Sequence, residues 1–174
     1  MAAEFCLHCG ARLQTQLIAG RERQTCSQCG FILYRNPVPV VGVLVTHNGK
    51  ILLLKRHEEP LRGFWAPPTG YVEWDESAEQ AAVRETFEET GFEIELDGLL
   101  GVYSHANTGI LFLVYRGRIC GGQMQASEES EAIGFFAPDQ LPAQPAKHSG
   151  TLLDEFFLDV IGKVITNKLV TTLD

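Results

Sequence analysis

The chain has 174 residues, 45% of them hydrophobic, and a formal net charge of −8. That length suits one domain, or one domain with a small appendage, and is ample for a real core. No apolar run approaches the roughly 18 residues of a membrane helix, and an acidic balance argues against broad nucleic-acid binding, which wants a basic surface. The opening MAAEFCLHCG shows neither a basic n-region nor an apolar h-region, so no signal peptide and no membrane association are expected, and a cytoplasmic location is.

The first signal along the chain is Cys6-x2-Cys9 followed, 16 residues on, by Cys26-x2-Cys29. Two tight turns presenting two thiolates each can close a tetrahedron of sulfur around Zn²⁺, and the separation falls in the range of a zinc ribbon. Gly10 and Gly30 follow the second cysteine of each pair, where such a turn often needs positive φ. Two disulfides or paired redox CxxC motifs are the alternatives; an intracellular setting disfavours the first, and the second does not need two copies. Four thiolates make a closed site, so the zinc is expected to be structural. His8 reads as a bystander inside the first turn, and Cys120 has no partner. Residues 1–36 are too small for a core and depend on their metal. They carry four Arg against two Glu, which leaves −10 for residues 37–174.

After Pro37 and Pro39 comes VVGVLVT, a strand of buried character, and ILLLKR returns as its partner across the hairpin signal Asn48-Gly49. Residues 57–69 form a loop rich in Pro, Gly and aromatics. From Gly70 to Phe92 the chain reads GYVEWDESAEQAAVRETFEETGF. Ser77 and Gln80 make a capping box, and Gly91 is a natural C′ stop, so the helix runs between them. On it Glu85, Glu88 and Glu89 share one face. Three carboxylates repel one another unless a cation sits among them, and Mg²⁺ or Mn²⁺, with their preference for hard oxygen, are the expected cations. Arg84 is expected to pair with Glu73 or Glu76 and brace the loop against the helix.

FEIEL then alternates with period two, and apolar strands follow at about 99–104 and 110–119, joined by a turn at Asn107-Thr108-Gly109. A loop bearing Glu128, Glu129 and Glu131 precedes the strand IGFFA and the turn Pro138–Pro142. The closing TLLDEFFLDVIGKVITNKL has the spacing of an amphipathic helix. Strands, one central helix, more strands and a closing helix describe an α/β protein, an α/β/α sandwich around a mixed sheet.

The spacing G-x5-E-x7-R-E-x-x-E-E-x-G resembles the signature box of the Nudix hydrolases, with Gly70, Glu76, Arg84, Glu85, Glu88, Glu89 and Gly91 in its fixed positions. Thr86 fills a slot that prefers an apolar residue, and Thr69 stands where many members have a second glycine. The resemblance implies a Nudix fold over about 37–165 and metal-dependent hydrolysis of a nucleoside diphosphate derivative. It makes Glu85 and Glu89 the innermost metal ligands, Glu88 a further ligand or the general base, and the Gly70 carbonyl another ligand. Many members add a carboxylate from the loop before the last strand, and spacing to Phe135-Phe136 selects Glu129. Phe64, Trp65 and Tyr71, near the box, are candidates to stack on a substrate ring, and Tyr103, His105 and Asn107 stand where members often select substrate.

A zinc ribbon ahead of such a domain is similar to NADH pyrophosphatases, but those carry a further domain before the ribbon and a Ser-Gln-Pro-Trp segment where this chain has Tyr103-Ser104-His105-Ala106. FCLHCG, YRNPVPVVGVLV, KRHEEPLRGFWAPPTGYVE and SEESEAIGFFAPDQLP resemble more closely the short proteins typified by plant chloroplast FAD/ADP-ribose pyrophosphatases. The resemblance implies a small nucleotide substrate, ADP-ribose, FAD or a related dinucleotide, cleaved to a nucleoside monophosphate and a second phosphate. Two other readings stay open: a catalytically inactive ligand sensor whose ribbon contacts nucleic acid or protein, and a ribbon that serves as an interaction or homodimer module.

Overall fold

The computed structural model describes residues 3–58, 61–105, 109–125, 127 and 130–145. The chain divides into two units, Met1–Pro37 and Val38–Asp174. The closing amphipathic stretch, together with Asn107, Thr108, Glu128 and Glu129, lies outside the described residues.

The first unit is a three-stranded antiparallel sheet in the order β1 (Gln14–Ile18), β2 (Arg21–Thr25), β3 (Ile32–Leu33). Two equivalent turns bring in the cysteines. In the first, Gly10 N–H donates to the Cys6 carbonyl at 2.9 Å and Cys6 N–H to that of Ala11 at 2.7 Å; in the second, Gly30 donates to Cys26 at 3.0 Å and Cys26 to Phe31 at 2.8 Å. Gly10 and Gly30 take φ of 74° and 75°, a conformation that penalises any side chain. The four sulfurs lie within 4.8 Å of one another. Cys6 Sγ is 3.6 Å from that of Cys29 and Cys9 Sγ 3.5 Å from that of Cys26. A tetrahedron with Zn–S bonds of about 2.3 Å has edges of about 3.8 Å, whereas a disulfide needs about 2.05 Å, so the spacing fits zinc and excludes cystines. N–H groups of Cys29 and Gln28 hold the Cys26 thiol down at about 6, while burial and the neighbouring sulfurs push Cys29 up to about 12 and Cys9 also upward. Without a cation the four sulfurs therefore do not all become thiolates.

The second unit is built on a seven-stranded mixed sheet. Its main path runs β10 (Ser130–Phe136), β5 (Lys50–Arg56), β4 (Val38–His47), β9 (Ile110–Gly122), β8 (Phe92–His105). β4 is parallel to β9 over nine residue pairs; β5 with β10 and β8 with β9 are antiparallel. Asn48 and Gly49, at φ of 50° and 73°, form the hairpin turn that Asn-Gly predicts. Beyond that turn β4 and β5 pair only through Thr46 with Ile51 and His47 with Lys50, then part. Two short strands fill the gap, β6 (Trp65–Ala66) against β5 and β7 (Thr69–Tyr71) against β4. Residues expected to be loop are therefore part of the sheet. Their strand signal is masked because Pro67 and Pro68 interrupt it and the pairing is supplied entirely by neighbours.

Alternation along β4 sends Val41, Val43 and Val45 to one face and Leu44 to the other, all buried. The first set joins Leu52, Ile94, Tyr115, Ala81 and Ala82 beneath the helix α1 (Ala78–Thr90), and the second joins Ile51, Leu53, Leu100 and Val114 on the opposite face. The stretch expected as two strands, 92–96 and 99–104, is the single strand β8 of 14 residues. Register shifts between Leu96 and Gly98 and between Leu99 and Gly101 absorb the interruption, and Gly98 at φ 136° makes the first possible.

Among the described residues no core cluster includes a residue of the ribbon, so removing its metal should unfold it alone. Treatment with a strong chelator, or Cys9→Ser, is expected to collapse the amide dispersion of β1–β3 in a heteronuclear NMR spectrum, with β4–β10 unchanged. One equivalent of Zn²⁺ should restore the chelated protein.

Candidate active site

The site begins with how α1 is held. The Ser77 hydroxyl accepts Gln80 N–H at 3.2 Å and the Gln80 side chain accepts Ser77 N–H at 2.8 Å, the reciprocal capping box expected from the sequence. At the other end Gly91, at φ 74°, donates to the Phe87 carbonyl at 2.7 Å. A Cβ on Gly91 would lie 2.4 Å from the Gln123 carbonyl oxygen, so the chain leaving β9 packs against this stop. The buried face of α1 is Ala81, Ala82, Thr86, Glu89 and Thr90. Thr86, in its apolar slot, resolves its hydroxyl by donating to the Ala82 carbonyl at 2.8 Å.

Two of the three helix carboxylates turn toward the backbone of β7. Glu89 is 4% exposed and accepts the Thr69 N–H at 2.9 Å. Glu85 lies against Gly70 so closely that a Cβ there would fall 1.8 Å from its carboxyl carbon. Glycine at position 70 is thus a requirement of close approach. Glu88 is more exposed and reaches the Arg84 guanidinium at 3.0 Å. Among the described residues the three carboxylates do not converge on one point as the four cysteine sulfurs do.

Arg84 is the cation set among them. Its Nε and Nη2 donate to the two oxygens of Glu76 at 3.0 and 2.6 Å, its Nη1 to Glu85 at 2.8 Å and to Glu88 at 3.0 Å, and its Nη2 to the Tyr71 carbonyl at 3.1 Å. Five N–H donors make five bonds. Of the two expected partners, Glu76 takes the guanidinium, and Glu73 instead donates its backbone N–H to Glu76 at 2.9 Å. Arg84 and that N–H hold the Glu76 carboxyl down at about 2. Sequence reasoning gave Arg84 the bracing of the loop and missed its hold on Glu85 and Glu88, although Glu88 stands at i+4 from it. It also missed Thr69, whose contribution is a backbone N–H that no side-chain pattern reports.

The donor set suits a hard divalent cation: Glu85 and Glu89 carboxylates beside the backbone of Gly70, with Glu88 at the rim. The flanks of the loop that bears Glu129 reach the same end of the helix, Gln125 N–H donating to the Thr90 carbonyl at 2.8 Å and Gln123 N–H to that of Gly91 at 3.1 Å. Glu129 itself lies outside the described residues. The aromatic candidates part company. Phe64 is 4% exposed and Trp65 stands edge-on to Phe136, ring centroids 4.9 Å apart, its backbone clasped by the Gln144 amide at 2.9 and 2.7 Å. Tyr71, 57% exposed, presents its ring to solvent. Tyr103 packs on the core of the sheet's far face, and His105 ends β8.

Because the Glu76 carboxyl is held below its usual value of 4.5, its contribution to stability is complete above that pH and is lost as pH falls toward about 2. The melting temperature of the native protein should therefore exceed that of Glu76→Gln at about pH 6, and the gap should close between pH 4.5 and 2. A gap that stays constant across that window would show that the Glu76 charge is not what braces the loop.

Comparison with known proteins agrees with this geometry. The NUDIX domain model matches residues 36–156, and the Nudix N-terminal model, a zinc ribbon, matches residues 4–35. An ADP-ribose pyrophosphatase of Methanocaldococcus jannaschii is 32% identical over 149 residues, 83% of this chain and 85% of that one. The NAD-capped RNA hydrolase NudC of Pseudomonas aeruginosa is 35% identical over 147 residues, and the match spans only 51% of it. A solved NUDIX hydrolase from Nitrosomonas europaea superposes with a TM-score of 0.86 at 26% identity, covering 98% of this chain and 97% of that one. A four-cysteine ribbon, a mixed sheet and a capped helix that sets its glutamates against a close-packed glycine occur together because the chain belongs to the Nudix hydrolase family.

Proposed function

We propose that the protein hydrolyses the pyrophosphate bond of a nucleoside diphosphate derivative, ADP-ribose, FAD or a related dinucleotide, to a nucleoside monophosphate and a second phosphate, with Mg²⁺ or Mn²⁺ at the box glutamates. The observation that carries this is the burial of Glu89 at 4% exposure beside Thr69, with Glu85 flush against Gly70. Two carboxylates held against the backbone of Thr69 and Gly70 offer the hard oxygen donors that a divalent cation prefers. The Methanocaldococcus relative, matched over 85% of its length, is named an ADP-ribose pyrophosphatase, which supports the substrate class. The NAD-capped RNA hydrolase relatives make NAD and NADH the nearest competitors.

In this reading Glu85 and Glu89, with the Gly70 carbonyl and Glu129, hold the divalent cation. When bound, it offsets the charge of the diphosphate and lowers the pKa of a coordinated water. Arg84 keeps Glu85 and Glu88 oriented, and in this reading Glu88 serves as a further ligand or accepts the proton of the attacking water. The water oxygen bonds to one phosphorus as the bridging P–O bond breaks, and the leaving phosphate departs as the second product. Of the three candidate aromatics Phe64, Trp65 and Tyr71, Tyr71 is the exposed one and the one free to meet a substrate ring. A thiolate zinc cluster suits the reducing cytoplasm.

Phosphate release coupled to alkaline phosphatase, across ADP-ribose, FAD, NADH, NAD and (d)NTPs with Mg²⁺ or Mn²⁺, tests the reading. Turnover of ADP-ribose or FAD is expected, and Glu89→Gln should lower it by more than about 100-fold. No turnover of any compound by protein with filled metal sites would sink the hydrolase and favour a ligand sensor. Gly70→Ala places a Cβ 1.8 Å from the Glu85 carboxyl carbon. Its Mn²⁺ affinity, read by titration, should fall about 10- to 100-fold, with the melting temperature near that of the native protein.

A further inference from the structure

The net charge of −8 is unevenly placed. Residues 1–36 hold Arg12, Arg21, Arg23 and Arg35 against Glu4 and Glu22, a balance of +2 in a chain otherwise at −10. Register in the three-stranded sheet then sorts these residues by face. Arg21 pairs with Ile18, Arg23 with Gln16 and Thr25 with Gln14, and directly opposed residues share a face. Glu22 pairs with Leu17 and falls on the other face. Glu4 lies outside the strands and answers Arg12 at 3.9 Å. The first face therefore carries two arginines and two glutamines, and no carboxylate among its strand residues.

Tyr34 completes that face. It follows Ile32, the partner of Thr25, by two residues, and its ring centre lies 4.6 Å from the Arg23 guanidinium carbon. The ring is 56% exposed, and Gln14, Gln16 and Arg21 are exposed on the same face. Among the described residues neither Arg21 nor Arg23 makes an ion pair, and Arg23 Nε has no hydrogen-bond partner. What fixes the Arg23 guanidinium is the aromatic ring, at a cation–π distance. A single exposed tyrosine needs no explanation. A tyrosine stacked on one arginine, flanked by a second and by two amides, supplies what a single-stranded polynucleotide requires. The ring offers a π-face to a base, the cations meet phosphates, and the amides reach base edges. A duplex keeps its base faces stacked inside, where this ring has nothing to meet.

We propose that this face of the ribbon, centred on Arg23 and Tyr34, binds a single-stranded polynucleotide, independently of the chemistry at the box glutamates. One base stacks on Tyr34, and Arg21 and Arg23 contact the adjoining phosphates. The acidic balance of the whole chain does not oppose this, because the charge that counts is that of the contacting face.

Fluorescence anisotropy with labelled oligo-U and oligo-dT of about twelve nucleotides tests the proposal on the full-length, zinc-loaded protein. Mg²⁺ and Mn²⁺ are left out, so that the box takes no part. Saturable binding at low salt is expected, tighter than to a duplex of equal length or to polyglutamate of equal charge. With two cations engaged, log affinity should fall against log salt with a slope of about −1.4. Tyr34→Ala should weaken binding about 5- to 100-fold, the scale of one stacked base, and Tyr34→Phe should keep it. Arg21→Gln should reduce the salt slope by about 0.7, whereas Arg12→Gln, an equal loss of charge outside the strands, should stay within about twofold. Should Tyr34→Ala shed its zinc, the exposed Arg21→Gln carries the test. Polyglutamate bound as tightly as the oligonucleotides, or unchanged affinity in zinc-loaded Tyr34→Ala, would reduce the face to bare charge and overturn the proposal. A preference for duplex, or no binding by the native protein, would overturn it as well. Loss of binding in Glu89→Gln would move the polynucleotide to the box, with the same consequence.

Discussion

Five hydrogen bonds leave the Arg84 guanidinium, one for each N–H it carries, and they end on Glu76, Glu85, Glu88 and the Tyr71 carbonyl. Without it the stretch from Gly70 to Ser77 would be an acidic loop beside an acidic helix, with repulsion as the main force between them. With it, loop and helix share one charge and one geometry. The shortest bond runs to Glu76, which stands in the loop just before the cap, so the helix N-terminus and the glutamates two turns further on are fixed by one side chain. The guanidinium is partly sheltered and its protonated form is held far above the pH of any assay, so the brace is permanent.

That brace works because the loop starts from something rigid. Gly70 is a member of β7, paired to Val41 in the most deeply buried strand of the sheet, and not part of a free loop. The parting of β4 and β5 beyond their hairpin creates the gap that β6 and β7 occupy. Helix and sheet meet where Glu85 presses on Gly70 and Glu89 takes the Thr69 N–H, a contact that admits no larger residue at position 70 without displacing the carboxylate. Secondary structure, capping and side-chain chemistry thus agree at one point, as they must where a site has to be held within a fraction of an ångström.

Much of this was legible beforehand, for identifiable reasons. The cysteine spacing, the Asn-Gly turn and the capping box are local signals, each set by a few residues, and each occurs as read. What escaped was non-local. β6 and β7 exist because of their partners, and the joining of two expected strands into β8 depends on bulges that a partner strand imposes. Aromatic residues were ambiguous for a related reason: Phe64 and Trp65 differ from Tyr71 not in type but in what packs on them, and only the fold decides that. The hold of Thr69 on Glu89 is a backbone contact and leaves no trace in residue identity.

Charge placement explains why an acidic enzyme can act on an acidic substrate. Arg84 is spent internally, so it orients the carboxylates without neutralising an incoming diphosphate. In the proposed reaction that task falls to a divalent cation at Glu85 and Glu89. A site built from cations alone would hold a diphosphate tightly in both substrate and products, which lowers KM without raising kcat. In the proposed reaction, carboxylates that hold a cation would concentrate the positive charge at the bond to be broken. Arg84 thus governs the order of the site, and the grip on the substrate is left to the proposed cation.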